Sequence, residues 1–312
     1  MRVVFLGTPD FAVGVLKHLV DSKHEVVAVI AQPDRAKDRK GNYIAVPVKV
    51  FAQQKNIPIY QFNKIKDVES IDIIKKIPCD IMVTAAYGQI LNREILDIAP
   101  HGIVNVHASL LPKYRGASPV QSAILNGESH TGVTIMRTEE GLDTGNIISS
   151  TTVEIGKNEN SETLLQRLSD IGGELLVDTL TKIENGQATE QKQDELLATK
   201  CRLLKKEDGK INWQESNDIL HNKVRALISW PTAYTYFGEK TLKIFETEIV
   251  DSSENLVAGQ IIDVNNKGIV VACGSGCLLI KSVQLEGKNK MSACDFARGY
   301  RIKTGDYLGN IS

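Results

Sequence analysis

Asn105 and His107 stand two residues apart in Gly102-Ile-Val-Asn-Val-His107, an otherwise apolar run that reads as a buried strand. Side chains at i and i+2 of a strand share a face, so a carboxamide and an imidazole lie side by side. The run breaks at Ser109-Leu-Leu-Pro112. The pair therefore falls at the strand's C-terminal end, where open α/β sheets bind ligands. It suits chemistry at a carbonyl: the amide donates a hydrogen bond, and the imidazole donates one or moves a proton. A third candidate is Asp143, in Glu139-Glu-Gly-Leu-Asp-Thr-Gly145. Flanking glycines let that loop bring its backbone close to a ligand. The loop follows the Val133–Met136 run and is expected to reach the same sheet edge as His107. A carboxylate hydrogen-bonded to the imidazole there would orient the ring and favour its charged form. Singly, each residue has an ordinary structural explanation, such as a turn aspartate capping its own loop. Together on one edge they favour catalysis.

The elements that must position these groups alternate. Short apolar runs at Arg2–Leu6, Glu25–Ile30, Asp80–Ala85, Gly102–His107, Gly132–Met136 and Ile147–Ile155 read as strands. Helical patterns intervene at Phe11–Leu19, Val48–Lys55, Asp67–Ile77 and Pro119–Asn126. This alternation predicts an α/β fold, with a doubly wound, mostly parallel sheet in the N-terminal part. Thr8 as N-cap and Pro9 at the first helical position fit the first helix start. Gly7-Thr-Pro-Asp10 is not G-x-G-x-x-G, and Asp10 stands where a pyrophosphate would sit, so a dinucleotide site is rejected. A long amphipathic helix spans Ser161–Ile183 and stops at Asn185-Gly186. The polar stretch that follows has no periodicity and reads as a linker. The expected division is 1–189, a linker at 190–205, and 206–312. Strand-like runs at Ala233–Phe237, Thr241–Glu248, Gly259–Val264, Gly268–Ala272 and Cys277–Gln284 predict a smaller C-terminal β-barrel.

The 312 residues suffice for two domains, and a net charge of −1 gives no global pull toward nucleic acid or membrane. Any anionic partner needs a local patch, and Arg35, Lys37, Arg39 and Lys40 provide one, with Asp38 the single acid among them. A charge run is as often a solvated loop. From Lys206 onward basic and acidic residues are equal in number, so that part is not globally basic. Lys281, Lys288, Lys290 and Arg298 are its candidate patch. The five cysteines argue against a disulfide scaffold. Cys273-Gly-Ser-Gly-Cys277 reads as a hairpin turn rather than a metal or redox pair, and no metal is expected. Asp10 and the Gly-Thr-Pro turn interrupt the apolar start, and no run is long enough to span a bilayer. A reducing cytoplasm and a monomer are the expectations.

Val104-Asn-Val-His-Ala-Ser-Leu-Leu-Pro-Lys-Tyr-Arg-Gly-Ala-Ser-Pro119 resembles the active-site motif of the folate-dependent formyltransferases. Asn105, His107 and the Ser-Leu-Leu-Pro turn match, and Asp143 matches the family's aspartate. Further stretches resemble one branch: Gly7-Thr-Pro-Asp-Phe-Ala12, Gln32-Pro-Asp-Arg35, Pro47-Val-Lys49, Ala86-Tyr-Gly-Gln-Ile-Leu91, Gly132-Val-Thr-Ile-Met136, Gly141-Leu-Asp-Thr-Gly145, Asp208-Gly-Lys-Ile-Asn-Trp213 and Trp230-Pro231. Ala198-Thr-Lys-Cys-Arg202 departs from a Tyr-Ala-Pro-Lys-like segment and leaves the linker's path open. The resemblance implies a Rossmann-like catalytic domain and an OB-like tRNA-binding domain. It implies 10-formyltetrahydrofolate as donor and the amine of methionine on initiator tRNA as acceptor. Asn105, His107 and Asp143 would be catalytic. Ser109, Leu110, Leu111, Pro112, Ile90 and Leu91 would wall the folate pocket, and Arg35, Lys37, Arg39 and Lys40 would enter the tRNA acceptor end. The rivals are formyl transfer to an amino-sugar nucleotide, hydrolysis of formyl-tetrahydrofolate, and a non-catalytic RNA-binding protein.

Overall fold

The computed structural model describes residues 1–35, 37, 41–250 and 256–309. Its first strands, in chain order, are β1 (Arg2–Gly7), β2 (Glu25–Ala31), β3 (Ile59–Gln61), β4 (Ile81–Ala85), β5 (Ile103–His107), the two-residue β6 (Arg115–Gly116), β7 (His130–Arg137) and β8 (Ile147–Glu154). Seven form one sheet in the order β3-β2-β1-β4-β5-β7-β8. From β3 to β5 the pairing is parallel, and β7 and β8 add on antiparallel. The core strands are apolar on both sides because helices cover both faces.

The helices of this part are α1 (Asp10–Val20), α2 (Pro47–Gln54), α3 (Val68–Lys75), α4 (Arg93–Leu96) and α6 (Ser161–Glu184), while α5 (Pro119–Leu125) falls almost wholly in the second unit defined below. On one face Val4, Leu6, Ile30, Met82 and Ile103 form a buried cluster with Ile71, Ile74 and Ile95 of α3 and α4. Thr84 and Asn105 follow Met82 and Ile103 at a spacing of two, so the polar site continues the same face beyond the apolar core. On the other face α6 packs close. A Cβ on Gly172 would meet Val106 at 3.0 Å and Val133 at 3.2 Å. Along α6, Leu164, Leu168, Leu176, Thr179 and Leu180 are buried. Leu165, Ile171 and Leu175 are only half-buried, since Ser169, Gly172 and Gly173 occupy the closest approach.

The start of α1 differs from expectation. Pro9 is the N-cap, with no side-chain cap. The Thr8 hydroxyl is used across strands instead, donating to the Tyr87 carbonyl at 3.2 Å and accepting the Gln32 N–H at 3.3 Å.

Contacts divide the chain into two units. One comprises Met1–Pro119, His130–Glu154 and Leu164–Cys201; the other comprises Val120–Ser129, Ile155–Thr163 and Arg202–Ser312. Residues 190–201, expected within a linker, belong to the first unit. There β9 (Lys200–Cys201) pairs with β6. A Cβ on Gly116 would fall 2.1 Å from the Cys201 carbonyl oxygen, and its φ is +121°, so only glycine fits.

The second unit contains α7 (Asn217–Ala226), β10 (Ala233–Phe237), β11 (Lys240–Val250), β12 (Ile261–Asn265), β13 (Gly268–Ala272), β14 (Cys277–Leu285), β15 (Met291–Ser292) and α8 (Ala293–Tyr300). Its antiparallel sheet has the order β10-β11-β14-β13-β12, with β15 beside β14. The strands follow the sequence expectation closely, because alternation is strong in a half-buried sheet. Helix α8, unread from sequence, fills the core with Phe296, whose ring lies 5.3 Å from Phe237 and 4.8 Å from Tyr300. Segment 306–309 joins the two edge strands' neighbourhoods: Leu308 N–H donates to Gly259 and Gly309 N–H to Tyr236. Cys273 and Cys277 flank a tight hairpin, and burial pushes the Cys273 thiol up to about 12, which makes it inert.

Candidate active site

Asn105 and His107 do share one face of β5, at its C-terminal end. Thr84 on parallel β4 lies in register with Asn105, and its hydroxyl donates to Asn105 Oδ1 at 2.8 Å. With the amide in this orientation its oxygen meets the Thr84 hydroxyl, which also has the Val104 carbonyl as an acceptor at 3.4 Å. The Asn105 NH2 makes no hydrogen bond among the described residues and is left to donate. On the other side, antiparallel β7 places Thr134 opposite His107. The buried Thr134 hydroxyl donates to the Ser109 carbonyl at 2.7 Å and accepts the Leu111 N–H at 3.1 Å. It thereby staples the Ser-Leu-Leu-Pro turn to the sheet.

The His107 ring is buried at 6% exposure. Its Nε2 lies 2.9 Å from the Tyr114 carbonyl oxygen, so this nitrogen carries the proton and donates. Nδ1 faces Asp143 Oδ2 at 3.7 Å. The direct hydrogen bond expected between Asp143 and the imidazole is therefore not made. The carboxylate instead accepts the Gly116 N–H at 2.8 Å. Nδ1 remains the nitrogen that can serve a substrate, and a ring protonated at both nitrogens offers a donor to each facing oxygen.

Asp143 also arrives by a different route. Strand β7 runs antiparallel to β5, so it exits at Arg137 beside Val104, the far end from His107. Loop 138–146 returns along the face by roughly 10 Å, three strand residues at about 3.3 Å each. Asp143 has φ +55°. Gln193 holds this conformation: its Nε2 donates to the Asp143 carbonyl at 2.9 Å and the Gly145 carbonyl at 2.7 Å. Buried Arg115 grips Gln193 Oε1 with Nε at 3.0 Å and Nη2 at 2.8 Å. It also binds both Glu195 oxygens, at 2.9 and 2.8 Å. The hydrogen bond from Arg115 holds the Glu195 carboxyl below its ordinary range.

The expected folate wall is only partly available. Ser109 is fully buried, and its hydroxyl donates to the Lys113 carbonyl at 2.7 Å. Its hydroxyl serves as a structural staple of the turn. Leu91 belongs to the apolar core under the sheet. Leu110 is half-buried and packs toward Gly132, where a Cβ would fall 2.5 Å from its Cδ2. Leu111 is buried and Pro112 half-buried, whereas Ile90 is 87% exposed. At the same sheet edge lies a polar network. Gln32 donates to the Tyr87 carbonyl, and Gln89 and Gln61 donate to Gln32 oxygens.

Of the basic loop, Arg39 and Lys40 lie outside the described residues. Arg35 and Lys37 are exposed, and Lys37 stands 4.8 Å from the centre of the Tyr43 ring. The loop's base is clamped by Asp34, which pairs with Lys49 and accepts from Gln61 at 2.9 Å and the Val46 N–H at 3.1 Å. In the second unit, Lys281 pairs with Glu248 and Arg298 with Asp295, so the expected patch there is partly neutralised. Among the described residues there is no group of His, Cys, Asp or Glu that could hold a metal, and no helix is long and apolar enough to cross a membrane.

Sequence reasoning missed Thr84, Thr134, Arg115, Gln193 and Glu195. Arg115 sat inside the quoted motif. Thr134 sat inside another, Gly132-Val-Thr-Ile-Met136, whereas Thr84, Gln193 and Glu195 carry no local signal, because each acts across the fold.

The formyl transferase family model matches residues 1–180, and that of the formyl transferase C-terminal domain matches 203–301. A methionyl-tRNA formyltransferase of Citrifermentans bemidjiense is 43% identical over 99% of this chain and 96% of its own length. One of Solibacter usitatus is 44% identical over 99% of each. Among solved structures, an N-formyltransferase from Helicobacter canadensis in complex with folinic acid and dTDP-3-aminofucose aligns with a TM-score of 0.68 at 20% identity, covering 93% of this chain and 100% of that one. HypX from Aquifex aeolicus in complex with tetrahydrofolic acid aligns at 0.66 and 14% identity, covering 99% and 51%. At that identity these two speak for the fold, whereas the family matches and the full-length relatives speak for descent: the chain belongs to the formyl transferase family.

Proposed function

We propose that this protein transfers the formyl group of 10-formyltetrahydrofolate to the amine of methionine on initiator tRNA. The observation that carries the reading is the oriented pair on β5: an amide whose NH2 is left free to donate, beside an imidazole whose Nδ1 faces a carboxylate. The substrate amine attacks the formyl carbon, and negative charge develops on the formyl oxygen. Asn105 donates to that oxygen, a contribution of about 3–4 kcal/mol at the transition state for such donors. His107 Nδ1, charged, adds a second donor. Asp143 takes the proton lost by the amine, relayed through a water. The proton is returned to N10 of tetrahydrofolate as the carbon–nitrogen bond breaks. Ile90, Leu110, Leu111 and Pro112 are the assigned folate contacts.

The full-length likeness to methionyl-tRNA formyltransferases supports tRNA over an amino-sugar nucleotide as acceptor. The Arg35–Lys40 loop supports it too, because phosphate contacts from such a loop bind a polyanion in a salt-dependent way. We assign the first unit, residues 190–201 included, to chemistry and residues 206–312 to holding tRNA, in a monomer of the cytoplasm. The test is to supply labelled 10-formyltetrahydrofolate with methionyl-tRNA or an amino-sugar nucleotide. Label on the tRNA is expected; label on the sugar alone, or formate release without transfer, would overturn the reading.

A further inference from the structure

We propose that Gln193, gripped by Arg115, is the positioning residue that holds Asp143 in register with His107. The proposal rests on the reading of Asp143 as the group that works with His107. Asp143 lies on a loop with no strand or helix of its own, at φ +55°. L residues seldom adopt that conformation unless the surroundings impose it. The imposition is visible. An amide NH2 has two hydrogens, and Gln193 directs both to the loop, one to the Asp143 carbonyl at 2.9 Å and one to the Gly145 carbonyl at 2.7 Å. The Gln193 amide cannot turn over, because its oxygen meets two guanidinium donors and guanidinium only donates.

Arg115 is itself fixed by both oxygens of Glu195. Its neighbour Gly116 supplies the N–H on the Asp143 carboxylate. Asp143 is thus held by its carbonyl from Gln193 and by its carboxylate from Gly116. Gln193 and Arg115 are 4% and 3% exposed, so water does not compete for these bonds. A misplacement of about 1 Å costs on the order of 100-fold in rate, which gives such a brace its use. The segment carrying Gln193 and Glu195 looks like a linker in sequence, yet it completes the site.

The test uses the full-length protein with 10-formyltetrahydrofolate and methionyl-tRNA. Gln193→Glu keeps an acceptor for Arg115 but presents oxygen to the two loop carbonyls; Gln193→Leu removes both roles. Each is expected to lower kcat about 10- to 100-fold, with KM for both substrates within about twofold. In an Asp143→Asn background the same changes should cost no more than about threefold, since nothing remains to be positioned. Unchanged kcat in Gln193→Glu beside an impaired Asp143→Asn would overturn the brace alone. So would an undiminished loss in the Asp143→Asn background, which would mark Gln193 as generally structural. A wild-type rate in Asp143→Asn would overturn the Asp143 reading and the proposal with it. If Gln193→Leu fails to fold, Gln193→Glu decides.

Discussion

Asn105 and His107 sit on a strand with hydrogen-bonded neighbours on both sides, whereas Asp143 sits on an irregular loop that doubles back to reach them. The strand half takes its geometry from sheet register: Thr84 and Thr134 are where they are because β4 and β7 pair with β5. The loop half has no ladder. Its geometry comes from the Gly116 N–H and the Gln193 side chain, both far away in sequence. Loops tied by few bonds open at lower free energy than core strands. The two halves should therefore fail differently, one by loss of a group and the other by loss of placement.

Removing a group from the strand half should have the largest effect. Asn105→Ala is expected to lower kcat by about 10²–10³, with tRNA binding unchanged in a filter-binding assay. A rate near wild type would show that the amide does not meet developing charge. Asp143→Asn comes next, with a loss of about 100-fold from proton transfer. Thr84→Val should cost about tenfold in kcat, because the Asn105 amide loses the bond that sets its orientation. An unchanged rate would show that the sheet alone orients the amide.

Thr134→Val tests placement through stability. It leaves the Leu111 N–H and the Ser109 carbonyl unpaired in a buried setting, at a cost of about 1–3 kcal/mol in a urea titration. The smallest effect concerns acid. Burial opposes ionisation of Asp34, but hydrogen bonds from Lys49, Gln61 and the Val46 N–H outweigh it and hold the carboxyl below its ordinary range. A carboxyl depressed by folding stabilises above its unfolded value and loses that contribution as pH falls through the folded one. Below about pH 4 the base of the basic loop should loosen. Asp34→Asn should flatten the acid limb of melting temperature against pH; an unaltered limb would contradict the clamp.

The strand half was legible in sequence because a buried strand is an apolar run, and two polar residues in it stand out. The second unit's strands were legible for a related reason, the alternation of half-buried strands. What failed to show was whatever lies outside local pattern. Nothing in the Val133–Met136 run says that it pairs antiparallel, so the path by which the Asp143 loop doubles back to His107 does not show in sequence. Gln193 and Glu195 sit in a polar stretch whose bonds are long-range and side-chain-borne, which leaves no period to read. Ser109 carries the right motif, yet its hydroxyl is turned inward to Lys113. Helix α8 is short and follows a two-residue strand, so its single amphipathic face gave too little to detect.

The account holds that the strand half and the loop half serve one reacting centre. The most direct measurement is a double-mutant cycle on single-turnover formyl transfer to methionyl-tRNA, with His107→Ala, Asp143→Asn and the double variant. Groups acting as one unit are far from additive, so the double variant should be no more than about threefold slower than the slower single one. Losses that multiply, or a near-normal rate in either single variant, would contradict it.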